Sequence, residues 1–137
     1  MTDPEPVPRA AERRLVATHA PWAARVGYSR AVRVGDVIHV SGTAAVDESG
    51  AVAYPGDPYR QARRALEIIL ASLREAGAGA EHVVRTRMYV ADASRWEEVA
   101  RAHGEVFADV RPATTLVAVA GFVDPAILVE IEAEAIV

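Results

Sequence analysis

Apolar and polar positions alternate over several short stretches of the chain, and this alternation predicts β-strands. Two of the stretches meet at Gly35 and Asp36, a pair typical of a hairpin turn. The predicted strands cover residues 28–34, 37–42, 82–90, 114–120 and 128–137, with residues 51–54 as a further short candidate.

Helical spacing of apolar residues replaces this alternation in two segments. Asp57 can cap the first helix, Pro58 suits its first position and Gly77 ends it. Its apolar face consists of Ala62, Ala65, Leu66, Ile69, Leu73 and Ala76. The second helix opens at Ser94, where Glu97 three residues later predicts a capping box. Its buried stripe consists of Trp96, Val99, His103, Val106 and Phe107.

The order of these elements predicts an α+β fold with a sheet covered by helices on one face. Residues 114–120 are apolar on both strand faces, and two helices can cover only one side of a sheet. We therefore expect the second face to pack against another copy of the chain, with a ligand pocket at that interface. Residues 1–13 carry prolines among charges and predict a flexible tail, which leaves residues 14–137 as one domain.

Composition removes several kinds of chemistry. The chain of 137 residues has no Cys, and all 15 of its basic residues are Arg. Thiol nucleophiles, disulfides, Cys-zinc sites, Schiff-base lysines and P-loops are therefore excluded. The 4 His residues lack metal-ligand spacing, so we expect neither a metal nor a cofactor.

Charge and hydropathy also limit the partners and the location. A net charge of −4 argues against a nucleic-acid partner, which normally meets a basic surface. No apolar run is long enough for a membrane span, and residues 1–20 lack the apolar core of a signal peptide. We therefore expect no membrane contact and a cytoplasmic location.

Candidate polar residues lie at strand ends and on strand faces. Ser41 and Gly42 end a strand, where the serine hydroxyl and an open backbone N–H can hold a carboxylate or oxyanion. The alternative is that these two small residues only form a turn. Glu130 shares one strand face with two other glutamates, either in solvent or at an interface that raises a pKa for proton transfer. Arg87 is either solvated or a bidentate clamp for a carboxylate. Tyr28 either donates a phenolic hydrogen bond or is packed.

Short motifs along residues 20–137 resemble, in their order and spacing, the RidA/YjgF family of reactive-intermediate deaminases. They are A-P at 20–21, G-Y-S-R-A-V at 27–32, V-S-G-T at 40–43, Gln61, L-R-E-A-G at 73–77, V-V-R-T-R-M-Y-V-A-D at 83–92, R-P-A-T-T at 111–115 and V-E-I-E-A at 129–133. The resemblance implies a chorismate-mutase-like α+β fold and a homotrimer whose sheets line a central barrel, with three pockets between subunits. It also implies hydrolysis of 2-imino acids to 2-keto acids and ammonia without a metal or cofactor.

The resemblance assigns roles to individual residues. Tyr28 would line the pocket, Ser41 and Gly42 would lie beside the substrate, and Glu130 would position the attacking water. Thr114 stands where the P-A-R-[ST] motif of the family has an arginine that binds the substrate carboxylate. Leu116, two positions along the same strand face, joins Thr114 among the expected substrate-binding residues. In the second helix, Ala100 and His103 replace an Asn and a Tyr often seen in the family, and His103 on the apolar stripe predicts a satisfied core histidine.

Threonine at position 114 alters the expected specificity. Truncating one partner of a desolvated Arg–carboxylate pair costs roughly 2–5 kcal/mol, so a hydroxyl cannot replace the clamp. Either Arg87 or Arg111 supplies the missing charge, or Thr114 donates to a neutral carbonyl or imine. The sequence thus predicts a RidA-like hydrolase acting on an enamine, imine or related small metabolite. The alternative is a non-catalytic module of the same fold that binds a metabolite or a protein; a ribonuclease is disfavoured because the chain is acidic and lacks a His pair.

Overall fold

A computed structural model describes all 137 residues, and its regular elements begin at Arg14. Residues 1–13 contain no helix or strand, and their side chains are exposed. The strands are β1 (Arg14–Val16), β2 (Ala31–Val34), β3 (Val37–Thr43), β4 (Val83–Val90), β5 (Ala113–Ala118) and β6 (Val129–Ile136). The α-helices are α1 (Ala23–Val26), α2 (Pro58–Glu75) and α3 (Trp96–Phe107), with 3₁₀ turns at Ala80–His82 and Ala93–Arg95.

The six strands form one mixed sheet in the order β1-β2-β3-β6-β4-β5. All neighbours are antiparallel except β4 and β5, which are parallel because the chain crosses back through α3. The C-terminal strand β6 is therefore central, and its neighbours β3 and β4 position side chains on both sides of it.

Helices α2 and α3 cover one face of this sheet, as the sequence predicts. Every second residue of β6 is buried beneath them, from Val129 to Ala135. Leu66 and Ile69 of α2 are almost fully buried, and burying such a side chain contributes about 1.5–3 kcal/mol. Asp57 caps α2 by accepting a hydrogen bond from the Arg60 N–H, as predicted.

The opposite face of the sheet differs from the expectation of an apolar surface. Its centre is polar, because β4 and β6 alternate and place their charged side chains there. That polar centre contains Arg85, Arg87, Tyr89, Glu130, Glu132 and Glu134. Leu15, Val34, Val37 and Ile136, which are all exposed, form an apolar strip along the part of this face built by β1, β2, β3 and the end of β6.

Local predictions also need four corrections. Residues 51–54 form only an isolated bridge between Val46 and Val52, because Tyr54 adopts a positive φ of 52° that ends the extended run. Asp92 caps the 3₁₀ turn before α3 by accepting hydrogen bonds from the N–H and hydroxyl of Ser94, whereas α3 itself begins without a side-chain cap, so the predicted capping box is wrong. Strand β2 begins later than predicted, and β1 was not predicted at all. No helix has the length and apolarity that crossing a membrane requires.

Candidate active site

A cavity of about 810 Å³ lies beside the ends of β3 and β6. The rest of its wall comes from helix α2, from residues 16–26 and 44–48, and from Val123 and Ile127. From the sheet side, the cavity is lined by Tyr28, Arg30, Ser41, Gly42 and Glu130. Four of the residues expected in the site thus meet in one place, although they come from three separate parts of the chain.

A β-bulge brings β3 and β6 together at this point. The register shifts between Val40, paired with Ala133, and Thr43, paired with Ile131, so β3 has one extra residue. Gly42 lies in the bulge, directly against the Glu130 carboxyl group: a Cβ at Gly42 would be 2.1 Å from Glu130 Oε1. The glycine is required here because any side chain would displace the carboxyl group.

The Tyr28 hydroxyl is oriented by a neighbour in the same wall. Trp22 Nε1 donates a hydrogen bond of 3.0 Å to the Tyr28 oxygen. Because that contact uses a lone pair, the phenolic proton remains available for an acceptor in the cavity. Tyr28 can therefore act as a hydrogen-bond donor to a ligand.

The Ser41 hydroxyl is engaged in the opposite sense. It donates a hydrogen bond of 2.7 Å to the Ser29 carbonyl, so it offers lone pairs to the cavity. In this arrangement Ser41 can accept a hydrogen bond from an N–H or a water molecule. The expected contact of its hydroxyl with an oxyanion would require that bond to Ser29 to break.

Glu130 and Arg30 form the charged centre of the cavity wall. Burial raises the pKa of Glu130, the positive charge of Arg30 opposes that increase, and Glu132 adds to it. Burial likewise lowers the pKa of Arg30, against the opposing influence of Tyr28 and Glu130. A carboxyl group whose pKa is shifted towards neutrality is suited to accept and return a proton.

The other expected substrate-binding residues do not line this cavity. Thr114 aligns with Thr86 on the helix-covered face, where the two hydroxyl oxygens are 2.7 Å apart and Thr86 Oγ1 is 2.8 Å from His103 Nε2. Leu116 packs against the core nearby. Arg87 lies on the polar face, within 3.1 Å of Glu134 and 3.4 Å of Glu132.

His103 matches its prediction as a core histidine. Its ring packs against Phe107 at a centroid distance of 4.8 Å, and burial lowers its pKa. No group of three or more His, Cys, Asp or Glu side chains is arranged to hold a metal ion.

Comparison with known proteins identifies the family. A family model described as Endoribonuclease L-PSP matches residues 17–137. The crystal structure of a YjgF/YER057c/UK114 family member from Mycobacterium tuberculosis superposes with a TM-score of 0.83 at 42% identity, covering 92% of this chain and 100% of that chain. The chain belongs to the RidA/YjgF family. The α+β fold predicted for the single chain and the resemblance to this family are thereby confirmed.

Two relatives in sequence extend the comparison. An uncharacterized protein of Streptomyces coelicolor is 42% identical over 123 residues, covering 89% of this chain and 90% of that protein. The 3-aminoacrylate deaminase RutC of Acinetobacter baylyi is 32% identical over 104 residues, covering 76% of this chain and 82% of that protein. The RidA/YjgF family therefore contains a relative named for the deamination of a small enamine.

Two unpredicted residues of the cavity wall, Arg30 and Trp22, contact the predicted site residues. Arg30 lies within the quoted G-Y-S-R-A-V motif, two positions after Tyr28, which is the spacing of one face of an extended chain. That spacing was the available signal. Trp22 gave no such signal, because its contact with Tyr28 depends on the short helix α1 between them.

Proposed function

We propose that this RidA/YjgF protein is a hydrolase that deaminates an enamine, imine or related small metabolite in the Glu130 cavity. The observation that carries the proposal is the convergence of Tyr28, Ser41, Gly42 and Glu130 on one cavity. RutC of Acinetobacter baylyi, named as a 3-aminoacrylate deaminase, supports this class of substrate. Hydrolysis of a C=N bond needs water and proton transfer, which these side chains can supply.

Glu130 orients and activates the water in this proposal. The water oxygen forms a bond to the imine carbon while the electron pair of the C=N bond moves to nitrogen, and Glu130 takes the water proton. The nitrogen gains a proton from a donor, for which the Tyr28 hydroxyl is available. The product of this step is a tetrahedral carbinolamine.

Collapse of the carbinolamine completes the reaction. The carbinolamine hydroxyl returns its proton to the Tyr28 oxygen as the C–O double bond forms. The C–N bond breaks, and nitrogen leaves as ammonia with the proton returned by Glu130. The burial that raises the pKa of Glu130 helps this carboxyl group to hold the proton between the two steps.

We also infer a homotrimer with shared pockets, as the family resemblance implies. The exposed apolar strip formed by Leu15, Val34, Val37 and Ile136 supports an interface on the uncovered sheet face. Val117 of β5 is also exposed on that side. A neighbouring copy would then bring Thr114 and Leu116 to the Glu130 cavity, whereas one chain keeps them apart. Sedimentation should give three times the 14.6 kDa mass of one chain.

An uncharged residue at position 114 supports altered specificity within this function. Arg87 is a poor replacement for the missing clamp, because Glu132 and Glu134 already neutralise it. Arg111 is exposed and, like Thr114, lies outside the cavity wall of its own chain, so any part it plays would depend on a neighbouring copy. We therefore propose that turnover survives with a substrate preference different from that of family members with the P-A-R motif.

A trapping assay tests the proposal. Imines generated in situ by an amino-acid oxidase are captured by semicarbazide, and an active deaminase lowers the amount of semicarbazone. We expect the wild-type protein to compete with the trap for at least one imine, and Glu130→Ala to lose that competition. Absence of competition across a broad imine panel would instead support the alternative, a non-catalytic module that binds a metabolite or a protein. The neutral residue at position 114 is the observation that favours that alternative.

A further inference from the structure

Arg30 is a cation in the cavity wall with most of its hydrogen-bonding capacity unused. A guanidinium has five N–H donors, and the hydrogen bond of 2.6 Å to the Gly42 carbonyl uses one of them. The buried Arg30 Nε has no hydrogen-bond partner. This Nε is shielded from solvent, so the donors that remain for a ligand are those of the two terminal nitrogens.

No carboxylate of the chain neutralises Arg30 through an ion pair. Arg30 takes part in none of the ion pairs of the chain, whereas Arg64, the other arginine of the wall, pairs with Glu67 at 3.2 Å. Arg30 is held instead over the Tyr28 ring, 5.8 Å from its centroid, and by the Gly42 carbonyl. It is therefore the one arginine of the cavity without a carboxylate partner.

We propose that Arg30, a residue outside the P-A-R motif of the family, is the carboxylate anchor of this cavity, so that the substrate is a small anion. This inference rests on the proposed function for the location of the site and specifies its substrate class. The guanidinium binds the ligand carboxylate with its free N–H groups, while the imine carbon lies towards Glu130 and Tyr28. The charge that the family places at position 114 is thereby supplied from the other side of the site.

The rest of the wall makes this anchor necessary for binding an anion. The acidic side chains that line the cavity are Asp47, Glu48, Glu67, Glu75 and Glu130. These acidic side chains outnumber the two arginines of the wall, so the overall electrostatic potential of the cavity does not attract anions. Binding of a carboxylate therefore depends on direct contact with Arg30.

Equilibrium binding tests the anchor without requiring turnover. Calorimetry would compare pyruvate, which carries a carboxylate, with pyruvamide, its neutral amide, on the full chain. We expect the wild-type protein to bind pyruvate more tightly, and Arg30→Gln to weaken pyruvate about 30-fold, or about 2 kcal/mol, while pyruvamide stays within about twofold. Arg30→Lys should retain part of the pyruvate affinity, because it keeps the charge and loses the planar fork. Arg101→Gln, on the exposed side of α3 and outside the cavity wall, should bind both ligands like the wild type.

Several results would overturn the anchor. They are equal wild-type affinity for the two probes, no pyruvate binding at all, or unchanged pyruvate affinity in Arg30→Gln. An equal loss of both probes in Arg30→Gln and Arg30→Lys, with a lowered melting temperature, would show that Arg30 only supports the Gly42 carbonyl. Failure of the proposed function has a different signature: pyruvate binding that depends on Arg30, without deaminase activity on any imine.

Discussion

The Glu130 carboxyl group occupies the space that a side chain at Gly42 would need. A Cβ at position 42 would lie 2.1 Å from Glu130 Oε1 and 3.1 Å from its Cδ. This contact depends on the β3 bulge, which inserts one residue opposite β6 and presses the two strands together next to the cavity. The position of the proposed general base is thus set by the absence of a side chain on the neighbouring strand.

Gly42→Ala should reduce turnover far more than stability. The added methyl group must move the end of a flexible side chain, so the protein should still fold, but a displacement of about 1 Å can cost about 100-fold in rate. Steady-state kinetics and thermal unfolding measure the two effects. The matched control is Gly104→Ala in α3, where a Cβ meets no atom within 4 Å and should add about 1 kcal/mol of stability. Normal turnover in Gly42→Ala would contradict the role given to this contact.

Glu130→Gln should stabilise the protein at neutral pH. Burial raises the pKa of Glu130 above its ordinary value of 4.5, so the folded state holds this proton more tightly than the unfolded state. The protonated Glu130 side chain therefore stabilises the folded state at low pH, and this stabilisation is lost as the pH rises above 4.5 and the group ionises in the folded protein. The amide of Glu130→Gln stays neutral and avoids that loss. Melting temperatures should be higher for Glu130→Gln at pH 7, with the difference vanishing below the ordinary pKa. A lower melting temperature at pH 7 would show that the charge of Glu130 stabilises the fold.

Gln61→Leu should destabilise the chain segments that adjoin the cavity. The fully buried Gln61 amide donates to the Tyr54 and Ala126 carbonyls and accepts from the Leu128 N–H at 2.9 Å. Leucine leaves these backbone groups unpaired, at about 1–3 kcal/mol for each buried group without a replacement partner. Urea denaturation should show the loss, and hydrogen exchange should increase first at residues 126–128. Unchanged exchange there would mean that other contacts hold this segment.

Thr114→Arg should test whether the pocket is shared between copies. If a neighbouring subunit brings position 114 to the Glu130 cavity, the new guanidinium adds a second cationic anchor. In the Arg30→Gln background, we expect the added Thr114→Arg change to raise kcat/KM for an imino acid about 10-fold relative to Arg30→Gln alone. Thr114→Lys in the same background is the matched control, because it adds the same charge without the planar fork. No rescue by either residue would place position 114 away from the substrate.

The fold was predictable because its local patterns agree with its packing. Asp57, Pro58 and the apolar spacing of α2 define that helix, and the glutamates of β6 alternate as the structure shows. The predictions that failed concern local structure that is decided by tertiary contacts. Residues 51–54 look extended, but the positive φ of Tyr54 ends the run, and the three residues of β1 are too few to form a pattern.

The site was predictable only in part for a related reason. Tyr28, Ser41, Gly42 and Glu130 belong to motifs that the family shares, so the resemblance placed them correctly near one another. Arg30 shares an extended face with Tyr28, but that spacing alone does not distinguish it from the solvated side chain that an arginine ordinarily is. Its importance comes from the Gly42 carbonyl and the cavity, which only the folded chain brings to it.

Catalysis at the Glu130 cavity is tested most directly by the rate of ammonia release from an imine, measured for the wild-type protein and for Glu130→Gln at equal concentration. Glutamine preserves the size of the side chain and removes its ability to accept a proton, while Arg101→Gln on the exposed side of α3 serves as the control outside the cavity. We predict that Glu130→Gln slows release at least about 100-fold, in the range typical of a lost general base, and that Arg101→Gln leaves it unchanged. Equal rates for the wild type and Glu130→Gln would contradict catalysis at this cavity.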